Sequence, residues 1–426
     1  MDFKQMYQEK LVSAEKAASV IKSGDWVDYG WTTATPIAVD KEIAKRLPEL
    51  TDVNFRGGIL MWVPEIFKIE NPAEHMTWNS WHMSGIERKA IAQGFCYYAP
   101  LRYSELPRYY RESQNKPDVA VFQVSPMDEH GFFNFGPNAS HMAAVCETSK
   151  VVIVEVNENM PRALHAPMIH ISQVEALCES KEPLPIMPPT SIDPVSEKIG
   201  LQIAEEVPNG ATLQLGIGAV PDAVGLALKE KKDLGIHTEL FTDSMVELIE
   251  CGAVSNEKKT LYKGKTVATL AFGSQRMYDY IDDNPSFMLL PVNEVNNPYV
   301  IAQLPDFISV NAALEVDFYG QVCAESIGTK HVSGSGGQVD YVRGATQSKG
   351  GKSFIAFPST AKGGTISRIK PVLTTGSIVT TSKNDVDYIV TEYGMAHLRG
   401  KTLSERVKAL VLSGCQYPCC CKQDDA

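Results

Sequence analysis

The chain has 426 residues, 44% of them hydrophobic and 21% charged, the balance of a globular protein long enough for two or three domains. Its 51 acidic and 40 basic side chains give a net charge of −11. That excludes nucleic acid as a main partner, because a polyanion needs a basic surface to release its counterions. An anionic ligand must instead be held by local Lys/Arg or by backbone amides.

The N-terminus, MDFKQMYQEK, has neither the apolar stretch nor the small-residue cleavage site of a signal peptide. No window approaches the ~18 apolar residues of a membrane span. The expected setting is the cytoplasm, with reduced thiols and no membrane partner. Ser13–Lys22 reads as a helix with Ser13 as cap, Glu15 in its first turn and Gly24 as its stop. Short β-branched runs follow at Asp25–Tyr29, Val119–Val124, Val151–Val156, Thr212–Leu215, Ser353–Phe357 and Tyr388–Val390. Alternating with amphipathic helical patterns, they predict an α/β protein.

Glu182–Pro194 is proline-rich and marks a domain boundary. Asp193-Pro194 then supplies a cap and a first-turn proline for a helix in which Ile199, Ile203 and Val207 recur, ending at Asn209-Gly210. The two helices introduce an internal repeat. Ser23-Gly24 and the strand to Gly30 align with Asn209-Gly210 and the strand to Gly216. After one lost residue, Pro36-Ile37-Ala38-Val39 aligns with Pro221-Asp222-Ala223-Val224, each proline opening a helix, and Asn54-Phe55 falls on Glu239-Leu240. Two similar α/β halves, with a ligand cleft between them, are the expected architecture.

Gly216-Ile217-Gly218-Ala219-Val220-Pro221 follows a strand and opens a helix, a context in which free N–H groups can bind an anion. It resembles a dinucleotide fingerprint, with Glu239 about 20 residues on. Pro221 replaces the third glycine, however, so an oxyanion or phosphate loop is the better reading. Glu239 itself stands at a strand end among uncharged neighbours, and its repeat partner is the uncharged Asn54. An acid kept in one half suits a site formed once. Ser333-Gly334-Ser335-Gly336-Gly337, followed by a strand-like run, can form a second nest of donors. Arg343, Lys349 and Lys352 lie close behind it in sequence. His82 and His130 have no triad order or metal spacing and read as packing or turn residues. Cys415, Cys419, Cys420 and Cys421 cluster near the C-terminus without a CxxC pair, so no metal site is expected.

Together these stretches resemble the acetyl-CoA hydrolase/transferase family of class I CoA-transferases. The resemblance runs from MDFKQMYQEKLVSAEKA to TEYGMAHLRGKTLSERVKAL through WNSWHMSGIERK, LQLGIGAVPDAV, LGIHTELFTD and SGSGGQVDYVRGA. Within the family it is similar to butyryl-CoA:acetate CoA-transferases of anaerobic bacteria, with 4-hydroxybutyrate CoA-transferases close behind. The resemblance implies a CoA-transferase (NagB/RpiA-like) fold of two similar open α/β domains, 1–188 and 189–410, with the active site between them. It implies that Glu239, in the HTE position, is the nucleophile, and that Gly216, Gly218, Ala219, Val220, Gly334, Gly336 and Gly337 supply oxyanion and CoA contacts. The substrates would be a CoA thioester and a short-chain carboxylate, with no tightly bound cofactor, no metal, and a homo-oligomer (dimer or tetramer). Transfer of CoA from butyryl-CoA to acetate through a glutamyl-CoA thioester is the implied reaction. Its alternatives are a 4-hydroxybutyrate transferase or an acetyl-CoA hydrolase on the same scaffold. The resemblance stops near Leu410, so 411–426 is expected to be an aberrant, disordered Cys-rich tail.

Overall fold

The computed structural model describes residues 2–188 and 190–414. The chain divides into two compact units, Met1–Met187 with Thr269–Glu294, and Pro188–Ala268 with Val295–Ala426. Residues 269–294 fall in the first of these units. No helix among the described residues is long and apolar enough to cross a membrane.

In the first unit the main sheet runs Cys96–Tyr98, Met76–Ser80, Val53–Gly57, Trp26–Asp28, Val119–Val124, Val151–Asn157, Ala176–Ser180. Every pairing in it is parallel. Val119–Val124 is buried at every position, the continuous apolar run of a strand covered on both faces. Val27, Phe55, Trp78, Val121 and Ile153 join one core cluster.

The second unit repeats the plan. Its strands run Gly235–Phe241, Thr212–Leu215, Phe307–Asn311, Lys352–Ala356, Tyr388–Thr391, with Gly394–His397 antiparallel at the edge. Matching backbone details tie the two sheets together. Gly24 and Gly210 both have φ +83; they donate to Thr51 O at 3.0 Å and to Lys232 O at 2.9 Å. Asp52 and Asp233 share the left-handed conformation, with φ +56 and +57. Trp26 pairs with Asn54 as Thr212 pairs with Gly235.

That register corrects the sequence alignment. Asn54 corresponds to Gly235, so Glu239 corresponds to Gly58 and not to Asn54. A two-residue likeness was too little to set the phase of a short strand.

Four local expectations also change. The first-unit helix with Ser13 as cap spans only Ala14–Ala18, the Ser13 hydroxyl accepting from Lys16 N; Val20 and Ile21 continue in tighter i→i+3 bonds. The second-unit helix begins at Ala219, so Pro221 is its third residue and not its opener. Proline is tolerated there because first-turn N–H groups have no intrahelical acceptor. The run after Gly337 is the helix Gln338–Gln347, not a strand. Its buried Gln338, Tyr341, Val342 and Ala345 follow helical spacing. At the C-terminus, Leu403–Leu412 is helical, and Thr391 Oγ1 donates to Ser413 O. Residues 411–414 thus belong to the fold rather than to a disordered tail. The four clustered cysteines lie outside the described residues.

Candidate active site

Glu239 is the fifth of the seven residues of Gly235–Phe241, in the C-terminal half of the strand. Regular pairing with the neighbouring strand covers Thr212–Gly235 and Leu213–Ile236. One residue before Glu239 a side chain bridges the two strands: Thr238 Oγ1 donates to Leu240 O at 3.2 Å and to Leu215 O at 3.4 Å. The carboxylate is therefore at the C-terminal end of a parallel sheet, the usual side for ligands in open α/β folds.

Two donors hold the carboxyl group. Asn296 Nδ2 donates to Oε2 at 2.6 Å, and the backbone N–H of Gly337 donates to the same carboxyl group. A Cβ at Gly337 would lie 2.1 Å from Oε2 and 2.2 Å from Asn296 Nδ2. Only glycine lets this backbone approach so closely.

Burial raises the Glu239 pKa; the Asn296 hydrogen bond lowers it, the Asp340 charge raises it, and the Gly337 N–H lowers it. The outcome is about 7. The residue keeps partial access to solvent although its carboxyl is enclosed by protein atoms. A nucleophile must be both reachable and poorly solvated, and this group is both.

His237 and Lys259, on and beside the Glu239 strand, are engaged by backbone carbonyls. His237, two residues earlier, is fully buried, and its Nε2–H donates to Val295 O at 2.7 Å. Desolvation, with the nearby Lys259 charge, pushes its pKa down to about 3. It is therefore neutral and structural. Lys259 is buried and donates to Ile236 O at 2.8 Å and Lys265 O at 2.7 Å. Desolvation pushes its pKa down to about 7. It braces the root of the Glu239 strand. No group of three or more His, Cys, Asp or Glu that could hold a metal occurs among the described residues.

The glycine loops fall in two places. Gly337 touches Glu239, and Gly334 and Gly336 (φ +51) lead into it. Gly216 donates to Val310 O at 3.1 Å, fixing the first loop to the adjacent strand. Gly218 has φ +112 and caps the helix whose first residues are Ala219 and Val220. Those first-turn amides end at the same edge of the sheet as Glu239. Of the basic residues near the second loop in sequence, Arg343 pairs with Asp385 at 3.4 Å and Lys352 with Glu206 at 2.5 Å. Both charges are engaged away from the nest. His130 is exposed beside Glu129, and His82 is partly buried.

Asn296 was not singled out from the sequence. The adjacent Asn297-Pro298 reads as a helix start, which Asn297 caps by accepting from Tyr299 N. Nothing in the pattern says that the preceding asparagine reaches a carboxylate 57 residues away.

Known proteins share this arrangement of chain. The acetyl-CoA hydrolase/transferase N-terminal domain family matches residues 1–188, and the acetyl-CoA hydrolase/transferase C-terminal domain family matches residues 273–415. The butyryl-CoA:acetate CoA-transferase of Anaerostipes caccae is 50% identical, over 96% of this chain and 94% of its own. The 4-hydroxybutyrate coenzyme A transferase of Clostridium kluyveri is 43% identical, over 96% of each. The crystal structure of RipA from Yersinia pestis is 37% identical with a TM-score of 0.91, covering 98% of this chain and 96% of that one.

Proposed function

This chain belongs to the acetyl-CoA hydrolase/transferase family, and from that premise we propose that it moves CoA between a short-chain acyl-CoA, butyryl-CoA first, and acetate, with Glu239 as nucleophile. The observation that carries the reading is the enclosed Glu239 carboxyl held by Asn296 Nδ2 and the Gly337 N–H. The reading sets the enzyme in the cytoplasm, with CoA thioester and carboxylate as its only reactants and no bound cofactor.

The chemistry asks for what the site contains. A Glu239 oxygen adds to the thioester carbonyl, the C–S bond breaks, and CoA leaves as thiolate from a mixed anhydride. The thiolate adds to the glutamyl carbonyl, the anhydride C–O bond breaks, and the acyl group departs as carboxylate. Glutamyl-CoA thioester remains. An incoming acetate reverses both steps and leaves as acetyl-CoA. Each step exchanges one anion for another, so no net proton transfer is required. Hydrogen-bond donors for the tetrahedral oxyanions are required, and each is worth about 3–4 kcal/mol where measured. Asn296 Nδ2 and the Gly337 N–H are already at the glutamyl carboxyl. The free amides of Gly218–Val220 are the candidates for the oxyanion on the substrate side, and Gly216, Gly334 and Gly336 shape the two loops.

Intact-mass measurement tests this. Wild type mixed with butyryl-CoA should gain the mass of CoA less water, and acetate should discharge it with formation of acetyl-CoA. Glu239→Gln should gain nothing. An equal adduct in both proteins refutes the assignment of Glu239. Free CoA produced without any acceptor would mark a hydrolase, and faster discharge by 4-hydroxybutyrate than by acetate would change the acceptor.

A further inference from the structure

A carboxylate accepts hydrogen bonds and cannot donate them, so only the NH2 end of the Asn296 amide can usefully face ionised Glu239. An asparagine amide can flip, presenting its carbonyl oxygen to the carboxylate instead. What prevents the flip must be a donor on the other side. Tyr341 supplies it: its hydroxyl donates to Asn296 Oδ1 at 3.1 Å. Asn296 is completely buried and Tyr341 is 1% exposed, so water cannot readily take over the same task.

Tyr341 is itself well fixed. Its ring stacks on Phe307, centroids 6.1 Å apart and planes 22° from parallel, within a cluster that includes Ile301, Leu304 and Ala345. It stands in the first turn of the helix that Gly337 caps. Gln338, on the same turn, anchors the loop by donating to Ala312 O at 2.7 Å and accepting from Thr381 Oγ1 at 2.9 Å. One helical turn thus positions two donors at once: the Gly337 N–H through its backbone and the Asn296 amide through a tyrosine hydroxyl.

We infer that Tyr341 is a positioning residue for the transfer reaction, acting through Asn296: its hydroxyl locks the amide so that Nδ2–H faces Glu239 in the resting enzyme and the glutamyl oxyanion during each addition step. The inference rests on the reading of Glu239 as nucleophile. The lock matters twice. In the resting enzyme the donor favours the ionised, reactive carboxylate. In the addition steps the same N–H faces the oxygen that gathers charge, without reorganisation at that moment.

The test is the pH profile of kcat/KM for butyryl-CoA, read in Tyr341→Phe, Asn296→Ala and the double variant. Phenylalanine keeps the stacking ring and removes one oxygen. Tyr341→Phe should lower kcat about 2–10-fold, as the loss of a single neutral hydrogen bond does. It should also move the acid limb upward by roughly half a unit. Asn296→Ala should do more of both, and adding Tyr341→Phe to it should change nothing further. Phe307→Leu, which disturbs the stack but leaves the hydroxyl, should lower the melting midpoint without moving the acid limb. The positioning role is overturned if Tyr341→Phe leaves the acid limb in place, if its effect simply adds to that of Asn296→Ala, or if the protein fails to fold. A CoA adduct that persists in Glu239→Gln would instead remove the premise, whatever Tyr341 does.

Discussion

The two units build the same strand frame and use the same position in opposite ways. In the second, Glu239 stands beyond the last residue pair that its strand makes with Thr212–Leu215, and Ile217 in the adjoining loop is 56% exposed. In the first, the corresponding residues are Gly58 and Trp31. Trp31 is 1% exposed and lies where a side chain at position 58 would go: a Cβ there would sit 2.4 Å from its ring. The helix after the first strand differs as well. Glu155 Oε2 accepts from the N–H groups of Ile37, Ala38 and Val39 at 3.0, 2.8 and 3.1 Å, closing the N-terminus of Ala38–Arg46. By strand register the second unit's counterpart of Glu155 is Ala356, which carries no carboxylate. One copy of the fold has filled its anion-binding end with its own side chains, and the other presents a carboxylate and free amides. The frame is common to both units, and on the proposed reading the burial of a few side chains decides which half can react.

The most damaging change to that contrast is Glu239→Gln. Loss of the nucleophile should lower kcat by at least about 10³-fold, measured as acetyl-CoA formed from butyryl-CoA and acetate. The folded state should move the other way. Because its pKa of about 7 lies above the ordinary glutamate range, ionised Glu239 withdraws stability progressively as pH rises from about 4.5 to 7. The variant should therefore melt higher than wild type at pH 8, by no more than the equivalent of about 3 kcal/mol, and alike at pH 4. A lower midpoint at pH 8 would show that the carboxylate is a structural group.

Closing the first unit's amides is the work of Glu155, so Glu155→Ala should be the next largest effect. It orphans three N–H groups, that of Val39 buried and those of Ile37 and Ala38 partly buried, and opens a cavity, at a cost of about 2–4 kcal/mol. The expected result is a lower thermal midpoint with kcat per folded molecule retained. Gly58→Ala should cost somewhat less, about 1–3 kcal/mol, as overpacking does. The Trp31 ring, stacked on Tyr103 at 5.7 Å and edge-on to His141 at 5.3 Å, would have to shift. An unchanged midpoint in Gly58→Ala would mean that Trp31 does not occupy the position tightly.

The residues that make the units alike were more legible than those that make them differ. Buried strands announced themselves as β-branched runs, the Asp193-Pro194 helix start by its cap, and Gly337 by its place in a glycine cluster. Glu239 stood out from family resemblance more than from pattern, since a lone glutamate in a strand carries no periodic signal. Asn296, Tyr341, Glu155 and Trp31 act through contacts with segments far away in sequence; Glu155 reaches Ile37 across 118 residues. No local rule reports such an approach. Gln338–Gln347 was misread because Val339, Tyr341 and Val342 favour strands, and its helical face shows only when Ala345 is counted with them. The repeat was visible and its phase was not, because a one-sided match of two residues cannot fix register.

The smallest expected effect concerns the charge that the second unit's helix brings to its own nucleophile. Asp340 is buried, and its charge raises the Glu239 pKa, an arrangement that costs ionised nucleophile at neutral pH. Asp340→Asn removes the like charge, so Glu239 should ionise more readily and the acid limb of kcat/KM should move down by a few tenths of a pH unit. Tyr341→Phe is expected to move the same limb up. Opposite displacements from two neighbours on one helical turn would identify the titrating group as Glu239 itself, since a distant group would not respond to both. If Asp340→Asn moved the limb upward, the carboxylate at 340 would be supporting the ionised site, and the balance of forces assigned to this turn would be reversed.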